Sequence, residues 1–158
     1  MKTAFKYSCV WYYQEIARRI GVKRMQYWLD KVGYGNREMG AAIDSFWLQG
    51  SLQITALEQV AFLFALEANA LPFPKAIQEN VKRLMLTEEG EGWQLFGKTG
   101  WGDRNGRQVG WYVGYIRSGK ERRIFAMNMD IHEDEDAQYR VEMTRKLLKK
   151  EGLMPGAE

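Results

Sequence analysis

Apolar residues recur at helical spacing through the first half of the chain and at shorter, strand-like spacing through the second. In 7–20, Val10, Tyr13, Ile16, Ala17 and Ile20 fall three and four residues apart, which predicts an amphipathic helix. Arg18 and Arg19 sit in its last turn, Gly21 follows as a C-terminal cap, and Ser8 lies where a capping serine is expected. A second helix is expected over 23–32, with Met25, Leu29 and Val32 inward and Gly33 ending it. Thr55-Ala56-Leu57-Glu58 has the form of a capping box and opens a third, reaching about 70. Pro74 suits the first turn of a fourth, with Ile77, Val81 and Leu84 inward.

Beyond the polar stretch 88–92, expected to be a loop, the pattern changes. Residues 93–99, 109–117 and 123–131 read as strands separated by the turns Asp103-Arg104-Asn105-Gly106 and Ser118-Gly119. Tight turns between consecutive strands predict a three-stranded antiparallel meander, and 137–151 predicts a closing helix ending at Gly152. The fold class is therefore α+β, one domain over 1–158, with a helical part over about 7–90 and sheet plus C-terminal helix over about 93–152. Three strands make a small sheet, so it is expected to be incomplete, with an unpaired edge through which a homodimer could form.

Composition narrows the function. The chain has 158 residues, 46% hydrophobic and 27% charged, an ordinary globular balance. A net charge of +3 suits anionic small molecules without calling for nucleic acid. Arg117, Lys120, Arg122 and Arg123 read as a solvated hairpin turn. One cysteine, Cys9, excludes an internal disulfide, and with one histidine, His132, gives no metal-ligand spacing, so no metal is expected. The acidic run Glu133 to Asp136 lacks the glycine of a calcium loop and reads as an exposed turn and helix start. No membrane-spanning run and no signal peptide is expected in this chain.

The chemistry concentrates at Lys98-Thr99-Gly100, on or after the first strand of the meander. An ammonium, a hydroxyl and a position without a side chain suit a carboxylate lying against a strand. Alone, the tripeptide is weak evidence. Ser8-Cys9-Val10, Tyr34-Gly35-Asn36 and Phe46-Trp47-Leu48 precede it in order. Together with 44–50 and Asn128-Met129-Asp130-Ile131, this set resembles the class D (oxacillinase-type) serine β-lactamases, within the wider penicillin-binding-protein superfamily.

The resemblance implies hydrolysis of a β-lactam through an acyl-serine, a role in antibiotic resistance, and a periplasmic or secreted location for an intact member. It implies that Ser8 relays a proton, that the backbone N–H of Trp101 is an oxyanion-hole donor, and that Lys98, Thr99, Gly100 and Arg140 hold the substrate, Arg140 gripping its carboxylate. Val10, Trp47 and Leu48 would cage the family's carboxylated lysine, a group formed with CO2, and Tyr34, Gly35 and Asn36 would be structural.

One motif of the family is missing. None of Ser8, Ser45, Ser51 and Ser118 is followed three residues on by lysine, since Trp11, Leu48, Ile54 and Glu121 stand there. Without Ser-x-x-Lys the nucleophile and the lysine to be carboxylated are absent, so no cofactor is expected and the chain reads as an N-terminally truncated member, inactive alone. Two other readings remain open: the β-lactam-sensing domain of a membrane signal transducer, and a non-catalytic binding domain.

Overall fold

A computed structural model describes residues 1–155, apart from the side chain of Arg104; the last three positions of the 1–158 domain lie outside the described residues. Five helices come first: α1 (Lys2–Lys6), α2 (Val10–Ile20), α3 (Val22–Val32), α4 (Ala56–Glu67) and α5 (Lys75–Met85). The strands β1 (Leu86–Gly90), β2 (Trp93–Arg104), β3 (Arg107–Ser118) and β4 (Glu121–Ile131) follow, then a 3₁₀ turn (Asp134–Gln138) and α6 (Tyr139–Lys150). The four strands form one antiparallel sheet in sequence order.

The α+β class stands, with helix and strand boundaries revised. The segment expected to be a loop at 88–92 is largely strand β1, so the meander has four strands rather than three. Its composition, Leu-Thr-Glu-Glu-Gly, hides it: β1 is short, mostly exposed and paired on one side only, so it needs little apolar content. β2 and β3 extend to Asn105-Gly106, which turns the chain with both residues at positive φ, 54° and 81°. Asn-Gly matches the two-residue hairpin turn that follows the twist of the strands. The acidic run is a turn: Glu133 and Asp136 form a reciprocal capping box ahead of α6.

The first helix also differs. Residues 7–20 do not form one element, because Ser8 has φ 51° and breaks the chain between α1 and α2. Ser8 is not the cap; Cys9 occupies that position, without a side-chain bond. Elsewhere the local signals hold. Thr55 and Glu58 make the reciprocal bonds of the capping box, and Gly33 closes α3 in the left-handed conformation.

Alternation along the strands sends side chains to two different layers. Phe96 and Tyr115 stack at 4.5 Å and pack under Leu63, Leu66 and Met85 of α4 and α5. Their neighbours Leu95 and Ile116 point to the opposite face, against Leu148, Leu153 and Met154. The sheet is thus covered on both sides. A third cluster, Leu29, Met39 and Phe46 with Met25, Tyr34 and Trp47 around it, holds the helical part together.

Candidate active site

The site begins where β2 outruns its neighbour. β1 pairs with β2 only as far as Phe96, whereas β3 accompanies it to Arg104. From Gly97 onward the β1 side of β2 is a free edge, and Lys98, Thr99, Gly100 and Trp101 lie on it. That overhang opens into a cleft of about 1230 Å³.

Each wall is held in place by an identifiable contact. The positive φ at Ser8 is uncommon for a residue with a side chain, and here it brings the hydroxyl to Lys98, whose ammonium donates to Ser8 Oγ. Lys98 also donates to the Thr99 carbonyl at 2.7 Å and lies 5.7 Å from the centre of the Phe5 ring. Burial, and then the positive charge of Arg140, hold the Lys98 pKa below its ordinary value.

Arg140 reaches the cleft from the first turn of α6. Its Nε and Nη1 are buried and have no hydrogen-bond partner among the described residues. Its guanidinium lies 5.9 Å from the Trp101 ring, and the Trp101 indole is fixed by donating to Gln108 Oε1 at 2.7 Å. Gly110 makes room: a Cβ there would sit 3.3 Å from Arg140 Nη1 and 2.8 Å from Ile131 Cδ1. Burial lowers the Arg140 pKa. The nearby acids are already engaged, Asp130 with Arg107 at 2.9 Å and Asp103 by the Gly106 N–H at 2.9 Å. Among the described residues the cleft therefore holds two partly desolvated cations, Lys98 and Arg140, and no carboxylate bonded to either, an arrangement that favours an anionic ligand.

The opposite wall is apolar. Leu48 accepts from the Asp103 N–H at 3.0 Å, tying the Phe46-Trp47-Leu48 segment to the end of β2. Arg18 and Gln14 of α2 both bind Asp44 just before it. Tyr34-Gly35-Asn36 supports this wall from behind. Asn36 Nδ2 donates to the Ser51 carbonyl at 2.8 Å and its Oδ1 accepts from the Gln53 N–H at 3.0 Å. Gly35 lies so close to residue 53 that a Cβ would meet the Gln53 carbonyl at 2.0 Å. Tyr34 accepts from Gln59 at 2.9 Å, and burial raises its pKa.

Ser8, Val10, Tyr34, Trp47, Leu48, Lys98, Thr99, Gly100, Trp101 and Arg140 thus all line one cleft, while Gly35 and Asn36 stand behind it. Phe5, Gln108 and Gly110 escaped the sequence reading. Only Gly110 left a signal, as a glycine inside a strand. Tyr13, whose buried hydroxyl has no partner among the described residues, also lines the cleft. Its only sequence signal was its place on the apolar face of a helix.

Residues 1–149 match the family model of the penicillin-binding-protein transpeptidase domain. The chain belongs to that family. Within the transpeptidase family its relatives are class D β-lactamases. It is 41% identical over 152 residues to a Bacillus subtilis (strain 168) protein described as a probable β-lactamase, YbxI, covering 96% of this chain and 55% of that protein. It is 40% identical over 153 residues to the β-lactamase OXA-48 of Klebsiella pneumoniae, covering 97% and 58%. The crystal structure of the class D β-lactamase YbXI from Nostoc superposes with a TM-score of 0.93 at 42% identity, covering 97% of this chain and 65% of that one. The chain thus spans little more than half the length of these curated relatives.

A carboxylated lysine does not fit the residues present. The cleft's lysines are Lys6 and Lys98, and Lys98 is bonded to Ser8 and Thr99 rather than enclosed by Val10, Trp47 and Leu48. Among the described residues no group of His, Cys, Asp and Glu could hold a metal, and no helix is long and apolar enough to cross a membrane.

Proposed function

We propose that this chain carries the substrate-recognition half of a class D β-lactamase site and binds the carboxylate of a β-lactam in the cleft between β2, α2 and α6. The observation that carries this reading is Arg140, a part-buried guanidinium lining the cleft, whose buried Nε and Nη1 have no hydrogen-bond partner among the described residues. A partly desolvated cation without an anion carries part of that cost, and a ligand carboxylate placed there would recover it through charge-assisted hydrogen bonds. Lys98 and the Thr99 hydroxyl would hold the same group from the strand side, with Gly100 letting it approach the backbone.

In this proposal Ser8 is a proton relay. Its hydroxyl already accepts from the Lys98 ammonium, so a proton can pass from Nζ through Oγ to a leaving nitrogen above the cleft. Trp101 would offer its backbone N–H to a developing oxyanion, a role supported by its place on the free edge of β2. The acylation step needs a nucleophile with a base in reach, and no serine here belongs to a Ser-x-x-Lys motif. The 158-residue polypeptide is therefore a binder without turnover, and hydrolysis, resistance and export are proposed only for a family member that also carries the motif.

The test has two parts. Calorimetry with a penicillin is expected to show one-site binding that Arg140→Ala weakens. A chromogenic cephalosporin is expected to remain intact above background. Turnover abolished by Ser8→Ala would overturn the binder assignment, and absence of any binding would overturn the site itself.

A further inference from the structure

The two ends of Arg140 are held differently. Its backbone is fixed in the first turn of α6, where its carbonyl accepts from the Thr144 hydroxyl at 2.8 Å. Its guanidinium has no such anchor: Nε and Nη1 are buried and lack a hydrogen-bond partner among the described residues. Beside it lie the space over Gly110 and the ring of Trp101, 5.9 Å away at its centre. An arginine side chain has large rotamer freedom, so its use as a clamp depends on the neighbours that restrict it.

Strand register explains which neighbours those are. Trp101 faces Gly110, and Asp103 faces Gln108, across β2 and β3. Residues two apart in a strand share a face. Trp101, Gly110 and Gln108 therefore project to one face, the one on which Leu95 and Ile116 meet α6. Gly110 leaves the place opposite Trp101 without a side chain, and the Arg140 guanidinium occupies it: a Cβ there would come within 3.3 Å of Nη1. The indole runs instead to its diagonal neighbour and donates from Nε1 to Gln108 Oε1 at 2.7 Å. Diagonal cross-strand pairs are within reach of aromatic and long side chains.

That bond sets the orientation of the ring. Rotation about the Cβ–Cγ bond of an aromatic side chain is only loosely restricted, and Trp101 is 38% exposed, so packing alone does not fix it. An acceptor at the far end of the indole selects one orientation, the one in which the ring lies beside Arg140. A cation is attracted to an aromatic face, so the same bond orders the guanidinium before a ligand arrives. Gln108 itself stands outside the residues that line the cleft.

We propose that Gln108 is a positioning residue of the anion-binding cleft: through the Trp101 indole it holds the Arg140 guanidinium in the orientation that receives a ligand's carboxylate. The role rests on the carboxylate-binding function proposed above and adds to it a residue that acts without touching the ligand.

Nuclear magnetic resonance and calorimetry on the full chain test the role. Trp101→Phe keeps a ring beside Arg140 and removes the indole donor, so the resonance missing from its spectrum identifies the Trp101 indole N–H. In Gln108→Leu that resonance is expected to shift and to exchange faster with water, and Gln108→Glu, which keeps an acceptor, is expected to restore slow exchange. Gln108→Leu is expected to weaken a penicillin about fivefold, as when one long side chain must be ordered on binding. Its methyl ester should bind as before, because only the acid engages the guanidinium; a merely structural role would weaken both alike. In a Trp101→Phe background Gln108→Leu is expected to have no further effect. An unshifted indole resonance, equal losses for acid and ester, or the same loss in the Trp101→Phe background would overturn the role. Penicillin binding that Arg140→Ala weakens and Gln108→Leu does not would leave the proposed function standing and remove Gln108 from it. Absence of binding by the unsubstituted chain would overturn both.

Discussion

Two regions of this molecule bury basic side chains, and they do so in opposite ways. Under α4, Lys82 is buried and donates to the Glu67 carbonyl at 3.1 Å and to Glu79 at 2.8 Å. The Glu67 carboxylate receives Arg117 at 3.0 Å and Arg122 at 3.3 Å. Every cation there has an anion, and the cluster joins α4, α5, β3 and β4. In the cleft, Lys98 and Arg140 are also partly desolvated, yet among the described residues neither bonds a carboxylate. The paired buried cations are part of the framework; in the proposed function the unpaired ones receive a ligand's charge. The contrast also corrects the reading of the basic hairpin as merely solvated, since Arg117 and Arg122 converge on one buried acid.

The two basic regions should differ most in stability. Glu67→Ala should cost about 3 kcal/mol, the low end for breaking a buried ion pair because Arg117 and Arg122 are partly exposed and can rehydrate. A thermal melt should then fall by about 6–12 °C. Arg140→Ala should change stability by no more than about 1 kcal/mol, because no protein anion loses its partner. Equal losses in the two variants would erase the distinction.

Binding should show the reverse pattern. Arg140→Ala or Lys98→Ala should weaken a β-lactam by about ten- to a hundredfold, as expected for a charged hydrogen bond of about 1.5–3 kcal/mol. Glu67→Ala, assayed well below its melting point, should bind as the unsubstituted chain does.

A smaller effect is expected at Gly110. Alanine there would press on Ile131 and on the Arg140 guanidinium. Mild overpacking of about 1 kcal/mol corresponds to about fivefold weaker binding. Titration calorimetry on Gly110→Ala beside the unsubstituted chain would measure it.

The smallest effect is one of pH, and its sign differs between stability and binding. Burial and Arg140 depress the Lys98 pKa. Below that depressed value the folded chain bears a charged, half-buried lysine at a cost. Stability should therefore rise with pH between the depressed value and the ordinary lysine value of about 10.4. Anion affinity should fall over the same window, as the charge that attracts the ligand is lost. Lys98→Arg keeps its charge, so both slopes should flatten, as chemical denaturation and calorimetry at stepped pH would show.

The site was legible in the sequence to the extent that local chemistry announced it. Lys98-Thr99-Gly100 and Tyr34-Gly35-Asn36 are short segments whose side chains act near their own backbone, and the structure places them on a strand and a turn as expected. Contacts across long separations were not legible. Nothing local marks Gln108 as the anchor of the Trp101 indole, or Phe5 as the ring beside Lys98. Ser8 looked like a helix cap because capping serines are common there, whereas its backbone turns away to meet a lysine ninety residues on. β1 was hidden because edge strands that avoid pairing are polar and short, and so resemble loops.

In the proposed function the cleft recognises a ligand's negative charge through Arg140 and Lys98. The most direct measurement compares a penicillin with its methyl ester, which has the same shape and lacks the charge, by calorimetry at neutral pH. The free acid should bind the unsubstituted chain about ten- to a hundredfold more tightly than the ester, and Arg140→Ala should remove most of that preference. Equal affinity for acid and ester, or a preference that survives Arg140→Ala and Lys98→Ala alike, would show that the cleft does not recognise the ligand's charge through these residues.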